Sequence, residues 1–241
     1  MHAPRHHVLS TLSVALLAAV VGVATGRAST AAYERMAPLN QYLMADRQAE
    51  IDLARSAAPS AISLHATILV LGRRGYETAE KGTNGFTCLV ERAWMSPFDS
   101  PEFWNWKMRG PICYNPAASR AVLLYTLQRT VLAVSGLTTS QMLDRTTAAV
   151  ADKRLLAPDP GSMSYMMSKY GNLGDGVGAW RSHLMFYALK ADGAKDGASW
   201  GADVRSSPII LDTSHHVVPE PETIFMVPVA RWSDGTPAPL T

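Results

Sequence analysis

The sequence predicts an α+β fold, a mainly antiparallel sheet with helices packed on one face. Two observations carry this. Segments with the two-residue alternation of strands lie on both sides of a central pair of helical segments. Those strands do not alternate regularly with helices, as a doubly wound parallel sheet requires. No internal repeat interrupts the pattern.

The chain opens on a basic start around Arg5, followed by an uncharged run at 8–24 and then small residues at Gly26, Ala28, Ser29 and Ala31. That order is the layout of a secretory signal peptide. Ser29-Thr30-Ala31 fits the small-x-small cleavage rule best, and Gly26-Arg27-Ala28 also satisfies it. A retained membrane anchor is the alternative, because 17 residues reach the lower limit for a spanning helix. The expected organisation is a leader over 1–31, one domain over 32–232 and a flexible tail over 233–241.

Residues 38–56 are rich in helix formers, and Pro59 stops them. The segment 61–72 (AISLHATILVLG) reads as a strand, with Ser63, His65 and Thr67 on its polar face. Gly72–Gly75 makes a turn into a second strand over Tyr76–Glu80. Thr83-Asn84-Gly85 is a further turn, and FTCLVERAW at 86–94 is the next strand. Residues 95–115 have no clear period and hold Phe98, Phe103, Trp104, Trp106 and Tyr114, an aromatic excursion between strands.

Asn115-Pro116 supplies an N-cap and a proline at the first helical position, and Gly136 stops that helix. Thr138 to Gln141 forms a capping box for a second helix, which ends near Arg154. Strand patterns return at 162–169, 182–189, 208–212 and 223–232, with Trp200 in a loop or short helix between the second and third.

The formal charge of +2 falls to 0 in the mature chain, because Arg5 and Arg27 lie in the leader. Without a basic cluster there is no electrostatic case for nucleic acid, and contact with a membrane is expected only if the leader is retained. The two cysteines, Cys88 and Cys113, read as one disulfide in an exported protein. Their spacing does not suit zinc.

Motif tests are mostly negative. GNLGDGVG at 171–178 lacks the GK[ST] of a phosphate-binding loop and reads as a surface loop, or as an anion nest or lid beside a site. Asp175 within it is a ligand-contact candidate. Tyr165 and Lys169 give a YxxxK spacing on a strand-like segment, where it has no catalytic meaning. His215 and His216, near Asp212 and Glu222, read as a polar loop. No cofactor and no metal site are expected.

Two constellations carry chemistry. The polar strand faces place Ser164, His183 and Glu91 together with Ser63, His65, Thr67, Thr87, Ser162, Ser168 and Tyr187. That set holds a nucleophile, a base and an orienting acid, as acyl transfer requires. In the aromatic excursion, Trp104, Trp106 and Phe103 can stack a flat ligand while Asn105 and Asp99 orient it. The same rings can instead pack under the excursion as a satellite core.

The stretches GTNGFTCLVERAW (82–94), SPEFWNWKMRGPICYNP (100–116), PGSMSYMMS (160–168) and IFMVPVARWSDG (224–235) resemble those of an uncharacterised family of exported bacterial proteins. The resemblance implies a periplasmic or secreted bacterial protein and supplies no activity, cofactor or catalytic residue. The favoured expectation is therefore an exported module that binds a small molecule or a cell-envelope component. A cofactor-free hydrolase built on Ser164, His183 and Glu91 is the alternative.

Overall fold

The structure is a computed structural model that describes residues 33–176, 178, 179, 181–190, 209, 210 and 216–239. The leader, Trp200, Asp212 and His215 lie outside the described residues.

Among the described residues eight strands form one sheet: β1 (Thr67–Gly72), β2 (Gly75–Glu80), β3 (Thr87–Glu91), β4 (Gly110–Tyr114), β5 (Met163–Met166), β6 (His183–Leu189), β7 (Ile209–Ile210) and β8 (Glu222–Pro228). Their order is β2-β1-β3-β4-β5-β6-β8-β7. Among the described strands only the β1–β3 pairing is parallel. The hairpin β1–β2 ends on one edge, so the chain must cross back over β1 to start β3 beside it. The α+β class with a mostly antiparallel sheet is thus what the strand pattern anticipates.

Among the described residues five α-helices accompany the sheet: α1 (Arg47–Arg55), α2 (Ser60–Ser63), α3 (Pro116–Arg120), α4 (Leu123–Val134) and α5 (Thr139–Ala151). The helices α3 to α5 cover one face through Ala118, Val122, Leu123, Tyr125 and Ala149, which pack on Leu89, Ile112 and Tyr114. The opposite face is also covered. Ile51 and Ala54 of α1 pack there on Ile68, Val70, Cys88, Val90 and Cys113. A β3 buried on both sides explains why its central residues run Cys-Leu-Val without polar alternation.

Local chemistry sets most boundaries. The Asp46 side chain caps α1 by accepting from Gln48 N, and residues 39–41 form a separate 3-10 turn, so the single helix expected over 38–56 is broken in two. Asn115 caps α3 by accepting from Ala118 N, and the Thr138–Gln141 capping box opens α5. The helix expected from Pro116 to Gly136 breaks at Ala121, whose ψ of −72° leaves the helical range.

The strand expected over 61–72 begins only at Thr67. Residues 60–63 turn helically after Pro59, and Leu64 is left 63% exposed. Alternation over so few residues also suits a single helical turn, so period alone does not separate the two. Ser63 and His65 consequently leave the polar sheet face. The tail is not loose as far as it is described. Ser233 N donates to Met167 O, Ala238 N to Ala230 O, and Lys169 pairs with Asp234 at 2.6 Å. Gly235, at φ +82°, lets the chain fold back.

Candidate functional site

The register of the sheet brings one row of side chains to the face under α4. Thr87 pairs with Tyr114, Tyr114 with Ser164, Ser164 with Met185, and Met185 with Met226. Partners in register share a face, and so do residues two apart. Glu91, Met166, His183, Tyr187, Ile224 and Glu222 therefore point the same way. The cysteines occupy the other face, directly opposed in register and bonded to each other.

A cavity of about 230 Å³ lies between this face and the elements above it. Met166, Met185, Met226 and Ile224 form its floor, and Tyr125 and Thr126 of α4, with Val122 just before that helix, cover it. The aromatic excursion contributes Met95 and Met108, and the glycine-rich segment contributes Leu173. The disulfide joins β3 to β4 at the base of that excursion, and so fixes the cavity wall to the sheet.

The polar groups of the cavity are few. Glu91 Oε1 accepts hydrogen bonds from Tyr114 Oη at 2.6 Å and Thr126 Oγ1 at 2.9 Å. Burial raises its pKa against the stabilising effect of those two donors. Glu222 is 8% exposed, and its Oε2 is buried without a hydrogen-bond partner. Burial first, and the Glu220 carboxylate second, push its pKa up to about 8. His183 Nδ1 lies 2.7 Å from Arg181 O, and a carbonyl only accepts, so Nδ1 carries the proton. Burial lowers the His183 pKa to about 4, which leaves a neutral imidazole. Burial likewise raises the phenols of Tyr114 and Tyr187, so all three are uncharged at neutral pH.

The structure places Ser164, His183 and Glu91 on one face but does not assemble them as a triad. Ser164 has no exposed surface, and its hydroxyl is shared with Tyr187 Oη at 2.8 Å. Glu91 is held by Tyr114 and Thr126, and Nδ1 of His183 by a main-chain carbonyl. A triad needs the carboxylate on Nδ1 and the nucleophile on the opposite nitrogen. In register Ser164 faces Met185, with Tyr187 and His183 on the two diagonals, and its hydroxyl is bonded to Tyr187. Ser162 and Ser168 are buried too, and Ser168 Oγ bonds Ser56 Oγ at 2.6 Å.

The aromatic excursion is a packed cluster. Phe103 and Trp104 are each 2% exposed and meet edge to face at 4.9 Å. Trp104 Nε1 donates to Thr139 Oγ1 at 2.8 Å, and Trp106 packs edge-on against Tyr33. Phe103 and Trp104 edge a second depression with Tyr33 and Thr139, but their flat faces are spent on neighbours. Of the polar residues there, Asp99 binds Val217 N and His216, and Asn105 Oδ1 caps Lys107 N.

The glycine-rich segment forms an anion nest that the chain fills itself. Asp175 N and Gly176 N donate to Glu102 Oε1 at 3.0 and 3.1 Å. Asp175 is occupied by Lys107 Nζ at 3.1 Å and Tyr33 Oη at 2.6 Å. Among the described residues no group of three or more His, Cys, Asp or Glu side chains is arranged to hold a metal ion.

The sequence reads Glu222 as part of a polar loop with His215 and His216, whereas it is buried on the sheet face, and Tyr125 and the methionines go unread. Glu222 stands at the start of β8, one residue before the expected strand. The usable signal is the alternation Glu222-Ile224-Met226, a lone carboxyl in register with an apolar face. No protein-family model, curated protein or solved structure matches the chain.

Proposed function

We propose that this chain is an exported protein of the bacterial cell envelope that binds a small ligand in the cavity under α4. The observation that carries the reading is the cavity itself, whose wall is apolar apart from a few placed polar groups, one of them a carboxyl oxygen with no partner. Small-ligand sites have this composition: thioethers, aromatics and aliphatics for contact, and isolated polar atoms for orientation. The leader pattern at 1–31 supports export, and the disulfide is compatible with an oxidising compartment. Among the described residues no helix is long and apolar enough to cross a membrane.

The test is methyl NMR of the chain labelled at its methionines, titrated with 1-hexanol as an apolar probe. The Met166, Met185 and Met226 signals shift, and Ile224→Trp, which fills the cavity, abolishes the shifts while the fold persists. Unmoved methionine signals at millimolar probe overturn the reading.

A further inference from the structure

We infer that the ligand of this cavity is a small cation with an apolar body, a protonated amine on a hydrocarbon chain, with its charge against Glu222. The inference rests on the ligand-binding reading above and adds the chemical class.

The first argument is the charge inventory. Two carboxyls, Glu91 and Glu222, and one guanidinium, Arg92, line the cavity. The buried cations near it are already spent. Arg129 holds Glu220 through Nε–Oε1 and Nη2–Oε2 bonds of 2.7 Å each. Arg92 holds Glu50 at 2.8 Å and donates its other nitrogens to Tyr42 O and Val90 O. Lys190 Nζ, beyond the cavity wall, donates to Val218 O at 3.1 Å. His183 is neutral. Among the described residues an anionic ligand would meet two carboxyls and no unengaged cation.

The second argument is the orphaned oxygen. Glu91 has its donors, but Glu222 Oε2 has none although it is nine-tenths buried. Leaving such an atom unsatisfied is costly, and a ligand donor restores it. A neutral donor would supply the hydrogen bond only. A cation supplies both the bond and the counter-charge, and it lets Glu222 ionise.

The third argument is the rest of the wall. Tyr114, Tyr125 and Tyr187 all border the cavity with the methionines. Aromatic faces attract a desolvated ammonium, and thioethers are polarisable partners for its alkyl groups.

The experiment is calorimetric titration of the full chain at pH 7 with three six-carbon probes that differ only in the head group: hexylammonium, 1-hexanol and hexanoate. Hexylammonium is expected to bind about tenfold more tightly than hexanol, and hexanoate least. In Glu222→Gln the ammonium preference falls to about parity while hexanol affinity holds. In the wild-type chain, the carboxyl ¹³C signal of Glu222 moves with hexylammonium and not with hexanol, a readout that needs no variant. Hexanol or hexanoate binding as tightly as hexylammonium overturns the cation class and leaves the apolar pocket standing. Failure of all three probes overturns both readings. An ammonium preference that survives in Glu222→Gln, or an unmoved Glu222 signal, overturns the assignment of the charge to Glu222.

Discussion

Arg129 on α4 grips Glu220 just before β8 through two hydrogen bonds of 2.7 Å, and each side chain is 2% exposed. The guanidinium also donates to Trp94 O and Ser96 O and lies 4.1 Å over the Phe98 ring. One cation thus ties the start of β8 to the excursion and to α4, while Glu222, two residues on, has no partner for Oε2. Glu220→Ala leaves a buried unpaired guanidinium and is expected to cost roughly 3–5 kcal/mol. Replacing both partners, as Arg129→Met with Glu220→Leu, recovers much of that loss. Urea denaturation of the two variants checks the order.

Stability should fall with rising pH just above neutrality, and Glu222 is the reason. Its folded pKa of about 8 lies above the 4.5 of an unperturbed glutamate. Its contribution is complete below the unfolded value and is lost as pH rises towards the folded one. His183 has the opposite sign. Its pKa drops from 6.5 to about 4, so its contribution is present above 6.5 and is lost as pH falls. The two slopes oppose each other between about 4.5 and 6.5, and of these two groups Glu222 alone acts from about 6.5 to 8. There the wild-type stability should decline more steeply than that of Glu222→Gln, by up to about 1.4 kcal/mol per pH unit. Chemical denaturation of both chains at pH 6.5 and 8 measures the difference. Parallel slopes would remove the buried-acid assignment.

The disulfide closes the excursion and joins adjacent strands inside an apolar cluster, with both cysteines wholly buried. Its sequence separation of 25 residues corresponds to about 3–4 kcal/mol in the chain-entropy picture. Cys88→Ala with Cys113→Ala should lose that amount. Because no surface reaches the sulfurs, dithiothreitol should leave the native bond intact and reduce it only with added denaturant. Thiol counting under both conditions tests this.

Strand existence was legible where an apolar period ran long, as in β1, β3, β6 and β8. Capping chemistry at Asn115 and Thr138 located two helix starts correctly. Boundaries failed where short alternation suited two structures, as at Ser60–Ser63. The candidate face was legible because alternation alone puts Glu91, Ser164 and His183 on one side of their strands. Their partners were not, since register between strands distant in sequence sets Ser164 opposite Met185 with Tyr187 and His183 on the diagonals, and side-chain packing joins it to Tyr187. Nor does composition reveal that Arg129 pairs with Glu220 and passes over Glu222. The aromatic excursion looked ligand-like for a similar reason: ring faces can stack on a ligand or on each other, and only packing tells which.

The nest at Gly174 to Gly176 gives the last prediction. Gly174 has φ +125°, and a Cβ there would lie 1.7 Å from Glu102 Oε2. Gly174→Ala therefore meets two objections together, an unfavourable backbone angle and a carboxylate that must leave. Glu102→Ala meets neither, since it only removes the acceptor from Asp175 N and Gly176 N, which lie at the surface and can bond water. Gly174→Ala should cost about 1–3 kcal/mol, more than Glu102→Ala, which should cost about 1 kcal/mol. Both changes should speed amide exchange at Asp175 and Gly176. Because Leu173 adjoins this nest and lines the cavity, both should also weaken hexanol binding without moving the Glu222 carboxyl signal. Equal cost in the two variants, or undisturbed exchange in Glu102→Ala, would show that the carboxylate does not hold the loop.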